Sequence, residues 1–319
     1  DPFIGSMGYV AIINNESEWA NVTWKLFKKR IKHSWQLYVI FLLPLIYILL
    51  FNYGPMYGIQ IAFKDYSYQT GIWNSPWVGL KHFNRFIGLR NFWQIIFNTV
   101  GISVYSLLVG TPIPILFAFM LNECPSQRYK KFIQTISYAP HFISTVVMVS
   151  MIIMFLSVNN GVLNNVMALL GFERVNYMGK AAAFKSIYVW SGIWQGMGYS
   201  SVIYLAALTA VDPSLYEAAY IDGATRLHKI RYIDFPSILP TVIIMAILGC
   251  GNLMSVGFEK IYLMQNSLNL NSSEVISTYV YKQGIDNANY SYSTTVSLFN
   301  SIVNLILLVT VNGIAKKVS

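Results

Sequence analysis

Long uncharged runs separated by short polar segments dominate the chain, and their length answers the first question about it. A helix needs about 20 apolar residues to cross the hydrocarbon of a bilayer. Six stretches qualify, at about 35–53, 92–121, 132–158, 186–211, 237–258 and 291–314. They predict an all-α membrane protein of six transmembrane helices. Pro44, Pro112, Pro114, Pro140, Gly249 and Gly251 fall inside the runs and are compatible with spans, because neighbouring helices re-satisfy the backbone groups that they free. The second run, about 30 residues long, is expected to tilt, to kink at Pro112/Pro114 or to end outside the hydrocarbon. The first run is too long for the apolar part of a signal peptide and lacks a small-residue cleavage site, so it is expected to stay in the membrane.

The polar segments have patterns of their own. Over residues 18–34, Ala20, Trp24, Phe27 and Ile31 recur at helical spacing, with Lys25, Lys28, Lys29, Arg30 and Lys32 between them. This predicts a basic helix lying in the membrane interface; a solvated basic tail is the alternative. Residues 1–34 thus form a separate N-terminal segment ahead of a membrane domain over 35–319. Residues 212–240 carry Asp212, Glu217, Asp222, Arg226, Lys229, Arg231 and Asp234 between two apolar runs. Asp212-Pro213 signals a helix start, since Asp accepts the orphan N–H bonds and Pro suits the first helical position. Gly223 permits a bend, and Pro236 and Pro240 mark the next boundary. A short helix, a bend and a second helix are predicted there, outside the bilayer. The segments at 66–77 and 159–165 are rich in aromatics and Asn (Tyr66, Tyr68, Trp73, Trp77; Asn159, Asn160, Asn164, Asn165), suited to docking a partner or to an interfacial belt with turns.

Composition agrees with the pattern. Only 11% of residues are charged and 55% are hydrophobic, with a mean hydropathy of +0.48, against about 25% charged in soluble domains. The net charge of +9 does not point to nucleic acid, because most of it sits beside the apolar runs. With the N-terminus inside, the inner segments hold 13 of the 22 Lys and Arg residues in shorter stretches, which places both termini and the 212–240 loop in the cytoplasm. Cys124 and Cys250 give no disulfide framework and are expected to be free thiols.

Several chemistries are missing. No G-x-x-x-x-G-K-[ST] occurs, Gly179-Lys180 being followed by Ala181, so this chain has no loop of its own to cradle ATP phosphates. No H-E-x-x-H, G-x-S-x-G or Cys/His cluster with metal spacing is present, and His33, His82, His141 and His228 are scattered. An enzyme is not expected, nor a metal site. Within the runs His141 is isolated, Lys185 precedes the fourth, and no Asp or Glu sits mid-span; ion-coupled carriers need such groups. Neutral polar residues do recur at helical spacing: Ser293, Ser297, Asn300 and Asn304 in the last run, and Ser191, Gln195 and Tyr199 in the fourth. Asn252 stands beside Gly249, Cys250 and Gly251 in the fifth. Amides, hydroxyls and rings suit a sugar; interhelical hydrogen bonding is the other reading of the same residues.

Glu217-Ala218-Ala219, Asp222-Gly223-Ala224, Ile233, Pro236 and Pro240 resemble the EAA loop of ABC importer permeases, with Ile230 standing where many members have Phe. The runs Ile193–Leu208 and Tyr138–Val149 are similar to the carbohydrate-uptake branch, and Phe51–Tyr66 and Asn289–Asn300 to its complex-oligosaccharide members, of the alginate importer type. The likeness covers about residues 35–317. It implies a type I ABC importer permease fold in the cytoplasmic membrane, with 212–240 as the coupling loop. Glu217, Ala218, Ala219, Asp222, Gly223 and Ala224 would engage a separate ATPase, with Glu217 pairing a basic residue there and Leu215 and Ile221 adding apolar contacts. ATP and Mg would be held by that partner, and no cofactor by this chain. The implied partners are an ATPase dimer, a second permease that is usually a distinct chain, and an extracytoplasmic solute-binding protein. The family's sugar pocket maps here onto Gln195, Tyr199, Gly249, Asn252 and Leu253, and Asn300 and Asn304 extend the polar path. The expected activity is ATP-driven oligosaccharide import by alternating access; a partner-binding scaffold or sensor and a secondary carrier are the alternatives. Lys64, Lys81, Arg85 and Arg90 in the first outer segment fit an acidic, alginate-like oligosaccharide, and fit an acidic binding protein equally well.

Overall fold

The computed structural model describes the backbone of residues 33–251 and 253–318, and side chains as far as residue 313. The basic helix expected over 18–34, apart from His33 and Ser34, lies outside the described residues, as does Asn252. Among the described residues the regular elements are helical, and one antiparallel bridge, Lys64 with Trp77, pairs extended backbone. Four helices among the described residues are long and apolar enough to cross a membrane: Trp35–Phe63, Phe92–Asn122, Arg226–Cys250 and Tyr290–Gly313. A fifth span exists if the bent pair Gln127–Phe142 and Thr145–Phe155 counts as one. The fourth expected run is a helix of 29 residues, Ala181–Thr209, long enough at about 1.5 Å per residue. Lys185, Ser191, Gln195, Ser200 and Ser201 make it less apolar than the others.

The chain divides into two compact units, residues 1–60 and 61–319. In the first, α1 (Trp35–Ile48) has no buried residue and passes into a π-helical turn, Leu49–Tyr53. Pro55 follows two residues later. A proline removes one helical bond and crowds the carbonyl four residues back, and widening the preceding turn accommodates both. The same device recurs in the second unit, where the π-turn Ile230–Asp234 stands two residues ahead of Pro236.

In the second unit, α2 (Phe92–Gly110) and α3 (Pro112–Asn122) make one long helix, with Thr111 still helical and Pro112 at a first-turn position. The third run departs from a straight span. Here α4 (Gln127–Tyr138) carries on through a 3-10 turn at Ala139–Phe142, Ile143 and Ser144 are extended, and α5 (Thr145–Phe155) leaves at 99°. Pro140 ends the first helix, and the Ser144 hydroxyl caps the second by accepting from Val147 N at 3.4 Å. The long helix α6 (Ala181–Thr209) packs on α3 through Ile115, Ala118, Phe119 and Leu121 against Tyr204, Leu205 and Leu208, with Ile238 of α8 (Phe235–Cys250) closing the cluster. It also approaches α4 so closely that a Cβ on Gly198 would stand 2.2 Å from Ser137 O. Only glycine fits there.

Beyond α8 the chain folds back before its last helix. α9 (Phe258–Met264) and α10 (Ile276–Tyr281) precede α11 (Tyr290–Val318). Amide side chains hold this segment in place: Asn266 and Asn269 both donate to Met178 O at 2.9 Å, and Asn98 of α2 donates to Glu274 O at 3.1 Å. Ser272 Oγ donates to Ala181 O at 2.6 Å. Ile261 and Met264 of α9 then pack with Ile102 of α2, Val149 of α5 and Phe184 of α6, which sets α9 alongside the middle helices. Asn164, one of the asparagines of the 159–165 segment, is wholly buried and turned inward. It donates to Leu156 O, Ser157 O and Val175 O and accepts from Val175 N.

Candidate functional site

The charged loop forms a helix, a left-handed bend and a second helix. Asp212 caps α7 (Pro213–Ile221) by accepting from Ser214 N at 2.9 Å, and that bond holds its carboxyl below the usual carboxylate range. The far end closes at Gly223, whose φ is +68°, a conformation that costs a side-chain residue about 1–2 kcal/mol. There Gly223 N bonds Tyr220 O at 3.1 Å and Ala224 N bonds Ala219 O at 2.9 Å, satisfying carbonyls the helix end would leave open. Thr225 then caps Arg226–Lys229, accepting from His228 N at 3.4 Å.

The surface this presents is apolar with a charged edge. Tyr220, Ile221 and Leu227 are exposed, and Leu215, Ala218, Ala219, Asp222 and Ala224 line a shallow recess of about 270 Å³ with Lys229 and Tyr232. Glu217 is exposed and has no ion-pair partner among the described residues. All six residues expected to engage a partner therefore lie in one short stretch of surface, Asp222, Gly223 and Ala224 at its bend.

The loop is also tied to the spans by residues that spacing did not single out together. Tyr216 donates its phenolic hydrogen to Asp234 Oδ1 at 2.5 Å, and Asp234 is fully buried. Burial first, and then this bond to a carboxylate, push the Tyr216 phenol up to about 12, so it stays protonated and remains a donor. Lys229 Nζ donates to Glu123 Oε1 at 2.8 Å, with Arg226 at 3.8 Å from the other oxygen. Glu123 directly follows α3, so the far side of the loop is fastened to the long α2–α3 helix.

The residues proposed for the polar path separate into three places. Gln195 lines a recess of about 290 Å³ with Ser106, Gly110, Tyr188 and Lys260, while Gly249 and Leu253 line an adjoining one of about 320 Å³ that shares Ser106, Gly110 and Tyr188. Gln195 Nε2 also donates to Ile143 O at 2.9 Å, satisfying a carbonyl freed by the bend. Tyr199, one turn on, is half exposed and stacks on His141 at 4.0 Å between ring centres. Asn300 lines a third recess of about 450 Å³ with Ser293, Ser297 and Tyr281, and its buried Oδ1 has no partner among the described residues. Asn304 is occupied: it accepts from Met254 N and donates to Ser255 Oγ, both at 3.0 Å. Lys260, which lies just past the fifth apolar run, borders the Gln195 recess. Its Nζ lies 4.8 Å above the Tyr188 ring and 3.0 Å from Tyr188 O.

Residues 110–319 match the model of the family described as binding-protein-dependent transport system inner membrane component. The chain belongs to that family. Its members are transport permeases of the inner membrane, not enzymes, and the apolar helices make this one a multi-pass membrane protein. The chain is 43% identical over 281 residues to the polygalacturonan/rhamnogalacturonan transport system permease protein YteP of Bacillus subtilis (strain 168), covering 88% of each. Among solved structures it is similar to a bacterial ABC transporter involved in the import of the acidic polysaccharide alginate, with a TM-score of 0.85 and 38% identity over 92% of this chain and 99% of that one. It is also similar to a bacterial alginate ABC transporter in complex with an alginate pentasaccharide-bound periplasmic protein, with a TM-score of 0.84 and 39% identity over 91% and 97%. The type I permease fold expected from the EAA resemblance is the fold of this chain.

Proposed function

We propose that the chain is one of two permease subunits of an ATP-driven importer of oligosaccharides, and that residues 212–240 are its coupling loop. The observation that carries the reading is the pairing of an exposed Glu217, without an ion-pair partner among the described residues, on a capped helix with an inner side bonded into the spans. The outer side is open to a partner; the inner side is held rigidly enough to pass that partner's movement on. ATP and Mg belong to a separate ATPase dimer, whose closure on ATP draws the coupling helices together and opens the cavity outward; hydrolysis resets it. The sugar is delivered from outside by a solute-binding protein, as the alginate transporter seen with its periplasmic protein suggests. Both termini are cytoplasmic in this arrangement, and the second permease is a distinct chain. An oligosaccharide fits the amide, hydroxyl and aromatic lining of the recesses, and relatives that carry polygalacturonan or alginate point the same way.

The test is ATP-dependent uptake in proteoliposomes that hold the transporter purified through this chain, with its binding protein outside and a panel of labelled oligosaccharides. Import is expected with ATP trapped inside the vesicles and none without it. ATPase association with no uptake of any sugar marks a scaffold or sensor, and uptake without nucleotide marks a secondary carrier; either result overturns the reading.

A further inference from the structure

Two lysines of this chain stand among the middle helices without carboxylates. Lys260 has been folded back with α9 against α6, where it borders the Gln195 recess. Among the described residues its Nζ meets one carbonyl, that of Tyr188, and the face of the same ring. Lys185 lies one turn before Tyr188 on α6 and makes no hydrogen bond or ion pair among the described residues. Glycines leave room for both ammonium groups: a Cβ on Gly192 would come 3.3 Å from Lys260 Nζ, and one on Gly101 3.0 Å from Lys185 Nζ. Lys229 and Lys282, by contrast, are each paired with a glutamate.

An ammonium withdrawn from water without a counter-charge is costly, and within a membrane such a group marks a pathway. A neutral sugar would leave that cost in place. A carboxylate would remove it, because a charge-assisted hydrogen bond is about twice as strong as a neutral one. Lysine is also the cation suited to passing a substrate on: a single flexible point charge holds an anion without the bidentate grip of arginine. Site and solute must bind well enough to enter and weakly enough to leave.

We propose that Lys260, assisted by Lys185, recognises the carboxylate groups of an acidic oligosaccharide on its way past α6, with Tyr188 as the ring beside it. This rests on the importer reading above and adds the charge of the substrate and the residues that select it. The probes are labelled tetragalacturonate and its fully methyl-esterified form, taken up by the same proteoliposomes. In Lys260→Gln the ratio of acid to ester uptake is expected to fall at least about tenfold from the wild-type ratio, the scale of one lost bond to a charged group. Lys260→Arg is expected to keep at least half of the wild-type acid uptake, and Lys185→Gln to lower the ratio in the same direction. Taking the ratio against wild type cancels any preference of the binding protein. An unchanged ratio in Lys260→Gln, or equal loss of both forms, makes Lys260 a packing residue and overturns the proposal. If the wild type does not accept the ester, the acid alone decides: equal loss in Lys260→Gln and Lys260→Arg overturns it. Wild-type uptake of neutral oligosaccharides but not tetragalacturonate defeats this inference and leaves the importer intact. ATP-dependent uptake of no sugar defeats both.

Discussion

Asp234 is fully buried and accepts from a single side chain, the Tyr216 phenol; its second oxygen has no partner among the described residues. A buried carboxylate with one good donor depends heavily on that donor. Tyr216→Phe keeps the ring and removes the donor, so it is expected to cost about 1–3 kcal/mol, read as a lower denaturation midpoint of the detergent-solubilised protein; an unchanged midpoint contradicts the role given to the pair. The residues also show where sequence reading reached and where it stopped. Gly223 and the cap at Asp212 were legible because each acts within its own turn of chain. Tyr216 and Asp234 were not legible as a pair, being 18 residues apart with a bend between them. Asn300 and Asn304 share one helical stripe, and nothing in that periodicity says that Asn304 is taken up by Met254 N while Asn300 is not. Lys260 was hidden by the assumption that a residue past the end of an apolar run lies outside the helices. Its position is set by asparagines and Ser272, which fasten the following segment to Met178 and Ala181.

At the scale of elements, the six apolar runs all fall on helices, four of them long and apolar enough to cross a membrane among the described residues, but run length did not give their shape. The 99° break between α4 and α5 comes from Pro140 and the Ser144 cap, and it is supported from outside by Gln195 of α6. Likewise α6 is less apolar than its neighbours because its residues line recesses and meet α4 at Gly198. The contact between the loop and the α2–α3 helix is an ion pair 106 residues apart in sequence, out of reach of any local pattern. It makes a specific expectation: Glu123→Lys places like charges together and lowers transport, and adding Lys229→Glu restores at least part of it. Uptake in the single and double variants measures this, and the coupling energy of such a cycle isolates the pair. A double variant no better than the worse single one contradicts a direct link between these elements.

For the whole molecule, the proposed function makes the loop and the recesses two ends of one machine. The loop's outer face offers small apolar side chains and the carboxylates of Glu217 and Asp222, which make no ion pair among the described residues, a surface suited to helix-in-groove docking. Its inner face is bonded to the α2–α3 helix through Glu123 and to the base of α8 through Asp234. The same helices, α2, α3, α6 and α8, line the recesses that hold Gln195, Gly249 and Leu253, so movement imposed at the loop reaches the polar lining through continuous helix. The measurement that bears most directly on this account is ATP-driven oligosaccharide uptake by Glu217→Lys beside wild type, with membrane insertion checked in both. Glu217 is exposed and makes no ion pair among the described residues, so reversing its sign is expected to leave the fold in place and, on the proposed reading, to act on the docked partner. The account requires uptake to be lost while the protein inserts normally; uptake at the wild-type rate would contradict it.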